Sequence, residues 1–456
     1  MRISLSGGGR LATLMSAALA LSLLATALLS LGSCGGGTAA ATGGPTASPA
    51  DEANAGQAPP PGDDVATSRS ASPAPQFPND TVVTGKVDSP SMPRPEYLQP
   101  VAYPATGTQI VRITDEARFG GVSAYYRHAY SLRQPWNADE TLLLLDGRFP
   151  GYLLDGRSLQ LIGSFEQPSD PVWSNLDPNS LYGVAGNGLV VVDMSSRQTR
   201  PLHRFDEYTE IAIGGGTGNF SDDDRRIVLI GQRAGGVDVL VFDKLVMRVV
   251  SRRAFDGLSG PYGDIDEARI SPSGRYVLLG MKTPSEEGYR LYDAGTMAFL
   301  RSLTAQFGHA DMGWTDADEE ALVTQDDASS AVVSIRLSDG VRRTELSAAH
   351  LGYNQHTSCR AIRRRGWCVI STFYEPSLPE SWLYSEIFAL KLDGSGTIER
   401  FSPSVFSIEP LANPYERQAH AVPSRDGARV LFASDWGDPA GDAIVHTYVA
   451  GRKVFY

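Results

Sequence analysis

The sequence predicts an all-β chain, a seven-bladed β-propeller built from four-stranded antiparallel blades. Three observations predict it. A polar turn followed by a run of β-type apolar residues recurs seven times, as "WNADETLLLL", "NLDPNSLYGV", "FSDDDRRIVLI", "SPSGRYVLL", "TDADEEALV", "RRRGWCVIS" and "SRDGARVLF". The anchor residues Asp139, Asp177, Asp223, Ser273, Asp318, Arg365 and Asp426 are spaced 38, 46, 50, 45, 47 and 61 residues apart, the range in which four-stranded blades repeat. Finally, residues 108 to 456 carry almost no helical hydrophobic period over the length of a helix.

Each copy reads as several short strands. After "TLLLLD" come "GYLLDG" and "SLQLIG"; the third copy reads "RIVLIG", "DVLVFD" and "MRVVSRRAF", each of strand length with a turn residue at its edge. A ring of blades must close, because an open edge presents unpaired backbone. Either "TQIVRITD", beginning at Thr108, or "RKVFY" at the end can supply the closing strand. The longest interval holds "TFYEPSLPESWLYS", residues 372 to 385, an insertion expected to overhang one face. Two β-sandwiches in tandem are the competing architecture, but they predict no shared anchor spacing over the whole region.

The 456 residues are 42% apolar and 20% charged, with a formal net charge of −12. Apart from Arg363, Arg364 and Arg365 there is no basic run, which argues against a nucleic acid or an acidic membrane surface as partner. Residues 1–33 carry Arg2 and Arg10 ahead of the apolar "LATLMSAALALSLLATALLSL" and end at "LGSC". That segment resembles a bacterial lipoprotein signal, and the resemblance implies cleavage before Cys34 and acylation of its thiol. A permanent membrane anchor is the alternative, since the run is about long enough to span. The lipoprotein reading makes the chain exported and held to the membrane only through its lipid. Gly35 lacks the acidic residue of inner-membrane retention and so directs the chain to the outer membrane or cell surface. Residues 34–107, rich in Gly, Ala, Pro and Ser, bury too little apolar surface to offset ordering entropy and read as a tether. The propeller then occupies residues 108–456. An exported compartment permits a disulfide between Cys359 and Cys368, which a hairpin turning at Arg363 and Arg364 sets opposite one another; two packed thiols are the alternative.

Four of the seven histidines, His128, His309, His356 and His420, lie just upstream of an anchor, on what becomes the innermost strand of a blade. His309 and His356 both stand nine residues before their anchors, in equivalent places on neighbouring blades. Imidazoles converging on one channel suit a divalent transition ion such as Mn, Zn or Ni, with Gln418 or Glu416 as oxygen ligands. The competing reading has them hydrogen-bonded to channel water and backbone. Trp136, Trp173, Trp314, Trp382 and Trp436 stand near the same turns, where they either stack on sugar rings or pack between blades.

The segment "RQAHAVPSRDGARVLFASD", with the order and separation of His309, His356 and His420, resembles the oligogalacturonate lyases, and the turn pattern is also similar to that of TolB-like propellers. The lyase resemblance implies His309 as catalytic histidine, His356 and His420 as ligands of a manganese ion, and β-elimination on uronate-containing oligosaccharides. Gln418 falls where that family has a further histidine ligand, and the family's own glutamine falls near Tyr415. For the catalytic arginine, Arg360 is the candidate carried forward beside Arg269 and Arg290. β-Elimination removes a proton alpha to a carboxylate, so it needs a base such as neutral histidine and a cation facing the carboxylate. The other function class is a non-catalytic envelope propeller that binds a protein or glycan.

Overall fold

In the computed structural model the described residues are 92–456, apart from 121–124, 148–149, 260–262, 284–286, 306–307, 327, 348–353, 374–382, 384, 406–413 and 438–443. The signal segment, Cys34 and most of the expected tether lie outside them, as do Trp382 and most of the insertion at residues 372 to 385.

The chain forms seven antiparallel sheets in sequence order, the blades of a propeller. Blade 2 shows the plan: Ser169–Trp173, Ser180–Ala185, Gly188–Asp193 and Gln198–Arg204 pair consecutively. Blade 3 runs from Glu210–Ile213 to Arg248–Asp256, and blade 4 from Ile265–Ile270 to Phe299–Thr304. Blade 5 begins at Asp311–Trp314 and blade 6 at Asn354–Ser358. Blade 1 keeps three full strands, and its inner edge is reduced to the bridge between Trp136 and Leu143. In blades 2 to 4 the fourth strands, such as Gln198–Arg204, are largely exposed or half-buried, whereas the first strands are mostly buried, which marks the first strand of a blade as the innermost.

The repeat has a local cause. At five of the seven anchors the side chain accepts a hydrogen bond from the backbone N–H two residues on: Asp139 from Thr141, Asp177 from Asn179, Asp223 from Arg225, Ser273 from Arg275 and Asp426 from Ala428. Such side-chain turns fix the first hairpin of a blade without asking anything of the apolar run that follows. A second series closes the third strand, where Asp155, Asp193, Asp243 and Asp293 cap the next turn in the same way. In blades 1 to 6 the pairing of third and fourth strands contains a register shift, as between Val241 and Phe242. A bulge there raises the local twist that lets the outer edge of a blade turn away from its neighbour.

Closure is made by the N-terminal segment. Gln109–Arg112 pairs with His446–Gly451, matching Ile110 to Ala450 and Val111 to Val449, so blade 7 takes its outer strand from the start of the chain. Strand pairing and burial begin ahead of residue 108, since Val101–Ala102 pairs with Gln109–Arg112 and Tyr103 is buried. Trp436 donates its indole N–H to the Met92 carbonyl at 3.0 Å. Closure is apolar throughout: Val111, Ile113, Leu143, Leu154, Leu431 and Val449 share one core that joins both ends of the chain to blade 1.

The two cysteines are bridged, with Cα atoms 4.3 Å apart. Pairing of Ser358 with Val369 carries Cys359 and Cys368 to facing positions at the end of the hairpin. Of the tryptophans singled out in the sequence, Trp136 and Trp173 are buried between neighbouring strands, Trp314 donates to Asp222 under the Arg365 guanidinium, and Trp436 packs on Tyr448.

Candidate active site at the entry end of the inner strands

His309 stands two residues before the innermost strand of blade 5, His356 lies within that of blade 6, and His420 stands two residues before Val422–Pro423 of blade 7. His128 lies in the segment leading to blade 1. The structure brings all four together. The Nδ1 atoms of His309 and His356 are 2.7 Å apart, the rings of His356 and His420 have centroids 4.0 Å apart, and His128 Nε2 donates to the His420 carbonyl at 2.6 Å. Gln418 joins them through its Oε1, 2.7 Å from His356 Nε2.

Two residues passed over in the sequence complete the cluster. Tyr130 places its hydroxyl 3.2 Å from His309 Nδ1 and its ring edge-on to His420, 5.0 Å between centroids. Arg127 is the adjoining cation: it is buried, donates to the His128 carbonyl and to the Glu416 carbonyl, and pairs with the Glu416 carboxylate at 3.8 Å. Both belong to "YYRHAYS", where His128 and Tyr130 share strand parity, the only signal the sequence held. Tyr415 packs against His420 and His356 as well, and its ring stacks on that of Tyr130.

The imidazoles are neutral. Burial lowers His309 to about 4; burial and then Arg127 lower His128 to about 3. Burial pulls His356 and His420 well below the ordinary value, with a further push from the neighbouring imidazoles and Arg127. His128, His356 and His420 are inaccessible, whereas His309 keeps partial exposure. Among the described residues, neither ring nitrogen of His420 has a hydrogen-bond partner, and His128 Nδ1 has none.

Arg360 is not brought to this cluster by any contact among the described residues. Its guanidinium is held by Asp311 at 2.8 and 2.9 Å and by the Met312 carbonyl at 2.9 Å. Asp311 also accepts from Arg269 at 2.9 Å, and Arg269 pairs with Glu267 at 2.8 Å, so these charges offset one another in a buried row. Arg290 lies on the third strand of blade 4. Of the other histidines, His203 is on the fourth strand of blade 2, His446 is tied to Thr114, and His350 is outside the described residues.

The donors fit the expected divalent ion poorly. Among the described residues no group of three or more His, Cys, Asp or Glu side chains is arranged to hold a metal. His356 has both nitrogens engaged, by His309 and Gln418, and the Gln418 oxygen is engaged by His356. His420 and His128 retain available nitrogens, whereas two of the three expected ligands, His356 and Gln418, are engaged with each other, and His356 with His309 as well.

Fold and site together define a seven-bladed propeller with a largely buried histidine cluster at the entry end of its inner strands. Among solved structures it is similar to the oligogalacturonate lyase of Vibrio parahaemolyticus, with a TM-score of 0.51 and 13% identity over 77% of this chain and 96% of that one. TolB of Acinetobacter baumannii matches with a TM-score of 0.34 and 16% identity over 58% and 61% of the two chains. The hydrazine synthase of Kuenenia stuttgartiensis matches with a TM-score of 0.42 and 15% identity over 66% and 91%. No protein-family model and no curated protein matches the sequence.

Proposed function

We propose that the chain is a lyase that cleaves uronate-containing oligosaccharides by β-elimination, with His309 as the base. One observation carries this reading: a neutral, partly exposed imidazole, His309, is joined through His356 to a buried one, His420, whose ring nitrogens have no hydrogen-bond partner among the described residues. Leaving such a group unsatisfied costs about 1–3 kcal/mol, which a bound hydroxyl or carboxylate would relieve. His309 takes the proton on the carbon alpha to the carboxylate. The released pair forms the carbon–carbon double bond, and the bond to the leaving oxygen breaks. The neutral Tyr130 hydroxyl, kept protonated by burial, is the nearest acid for that oxygen. Arg127 supplies the positive field that an acidic chain otherwise lacks, and a bound carboxylate would lift His309 from about 4 toward a working range.

The reaction is the one named for the Vibrio protein of similar fold, and the order of His309, His356 and His420 in this sequence adds support to carrying it over. An exported, lipid-anchored address through Cys34 belongs to the same proposal, supported by the Cys359–Cys368 bridge, which suits an oxidising compartment.

The test is to purify the full chain, measure bound metal by elemental analysis, and follow the ultraviolet absorbance of unsaturated product on a panel of uronic oligosaccharides. Product is expected on at least one of them. No product on any would leave the chain as a propeller that binds an envelope protein or a glycan.

A further inference from the structure

A base needs a lone pair aimed at its substrate, so the tautomer of His309 decides whether it can act. Neighbouring atoms fix that tautomer one step at a time. The Gln418 Oε1 atom only accepts, and it lies 2.7 Å from His356 Nε2, which therefore carries the hydrogen. A neutral imidazole has a single N–H, so His356 Nδ1 bears a lone pair. His309 Nδ1 lies 2.7 Å from that lone pair. Two lone pairs do not approach so closely, so His309 Nδ1 carries its own hydrogen and donates it. The Tyr130 oxygen, 3.2 Å away, shares that hydrogen as a second acceptor. His309 Nε2 is then left with the lone pair.

We propose that Gln418 and His356 form a hydrogen-bonded relay that holds His309 in its Nδ1–H tautomer and presents Nε2 as the base. Gln418 and His356 are positioning residues in this scheme, and their engagement with each other accounts for the poor fit of the site to an ion. The roof of the relay is apolar: Phe373 stacks on His356 at 5.2 Å between centroids, which keeps competing water from the His356 ring. The proposal rests on His309 being the base, yet the tautomer can be read without any substrate.

The experiment is nitrogen NMR of the full chain carrying labelled histidine, with His309, His356 and His420 assigned by single substitutions. Protonated Nδ1 on His309 and protonated Nε2 on His356 are expected. In Gln418→Leu the His356 signal should move to mixed tautomers, with kcat down on the order of 10–100-fold and KM held; Gln418→Glu, which restores the acceptor, should recover both. A protonated Nε2 on His309 in the unsubstituted chain would overturn the relay. So would stoichiometric binding of added Zn²⁺ that shifts the His356 and His420 signals together, since those side chains would then be ligands. The expected tautomers without any lyase product would support the relay and remove only the reaction reading beneath it.

Discussion

Gly313 on the inner strand of blade 5 lies directly against Cys359 of blade 6: a Cβ at Gly313 would sit 2.7 Å from the Cys359 Cβ and 3.2 Å from its sulfur. The backbone of one blade thus reaches the disulfide of the next, and only a residue without a side chain allows it. Gly313→Ala should destabilise the fold by about 1–3 kcal/mol through overpacking. Thermal unfolding should show the loss shrink in a Cys359→Gly, Cys368→Ala background, where both the Cβ and the sulfur that a Gly313 side chain would meet are gone. Equal losses in both backgrounds would mean the contact is not the cause.

Ring closure yields a second expectation. Val111 is fully buried between blade 7 and blade 1, and its strand is the outer strand of the last blade. Val111→Ala should cost roughly 1–3 kcal/mol from lost burial and the cavity left behind. Val111→Asp places an unpaired charge in the same core and should abolish a single cooperative transition in urea, while the same substitution at the exposed Val341 should do neither.

Acid sensitivity follows from the buried imidazoles. His128 and His446 are lowered to about 3 and His309 to about 4, chiefly by burial, and His356 and His420 are lowered as well. With folded values below the ordinary 6.5, the unfolded chain takes up protons first as the pH falls. Their contribution is therefore complete above about 6.5 and is lost as the pH falls from there, to about 4 for His309 and about 3 for His128 and His446, at up to ~1.4 kcal/mol per pH unit for each histidine. Melting temperature measured from pH 8 to 4 should fall over that window, and His446→Gln, at a site away from the cluster, should make the fall shallower. A flat profile through pH 5 would contradict this.

Arg425 provides a structural counterpart at the turns. It is fully buried and donates to the Trp136, Asn137 and Ser174 carbonyls and to the Asn175 side chain, tying the first turn of blade 7 to blades 1 and 2. Burial lowers its pKa to about 10, with Arg363 adding to the effect. Arg425→Met should leave those acceptors unpaired and cost roughly 2–4 kcal/mol by chemical denaturation. No change in stability would show that the carbonyls find other donors.

The repeat was legible because its cause is local: Asp139, Asp177, Asp223, Ser273 and Asp426 each bond a backbone N–H two residues on, so their spacing survives in the sequence. The gathering of His309, His356 and His420 was legible because each stands a few residues ahead of a blade turn, His309 and His356 nine before their anchors and His420 six before its own. Arg127 and Tyr130 were not. Their roles come from contacts with Glu416 and His309, 289 and 179 residues away, which no local pattern encodes. Arg360 looked available in sequence because its partner Asp311 belongs to the neighbouring blade. Gln418 stood where a ligand was expected, but its partner is the ring of His356.

The most direct measurement compares the unsubstituted chain with His309→Ala on uronic oligosaccharides, following ultraviolet absorbance of the unsaturated product and checking the fold of both by circular dichroism. The account predicts product from the first and a rate lower by about 10²–10⁴ in the second. Equal rates from two folded proteins, or no product from the unsubstituted chain on any substrate, would contradict it.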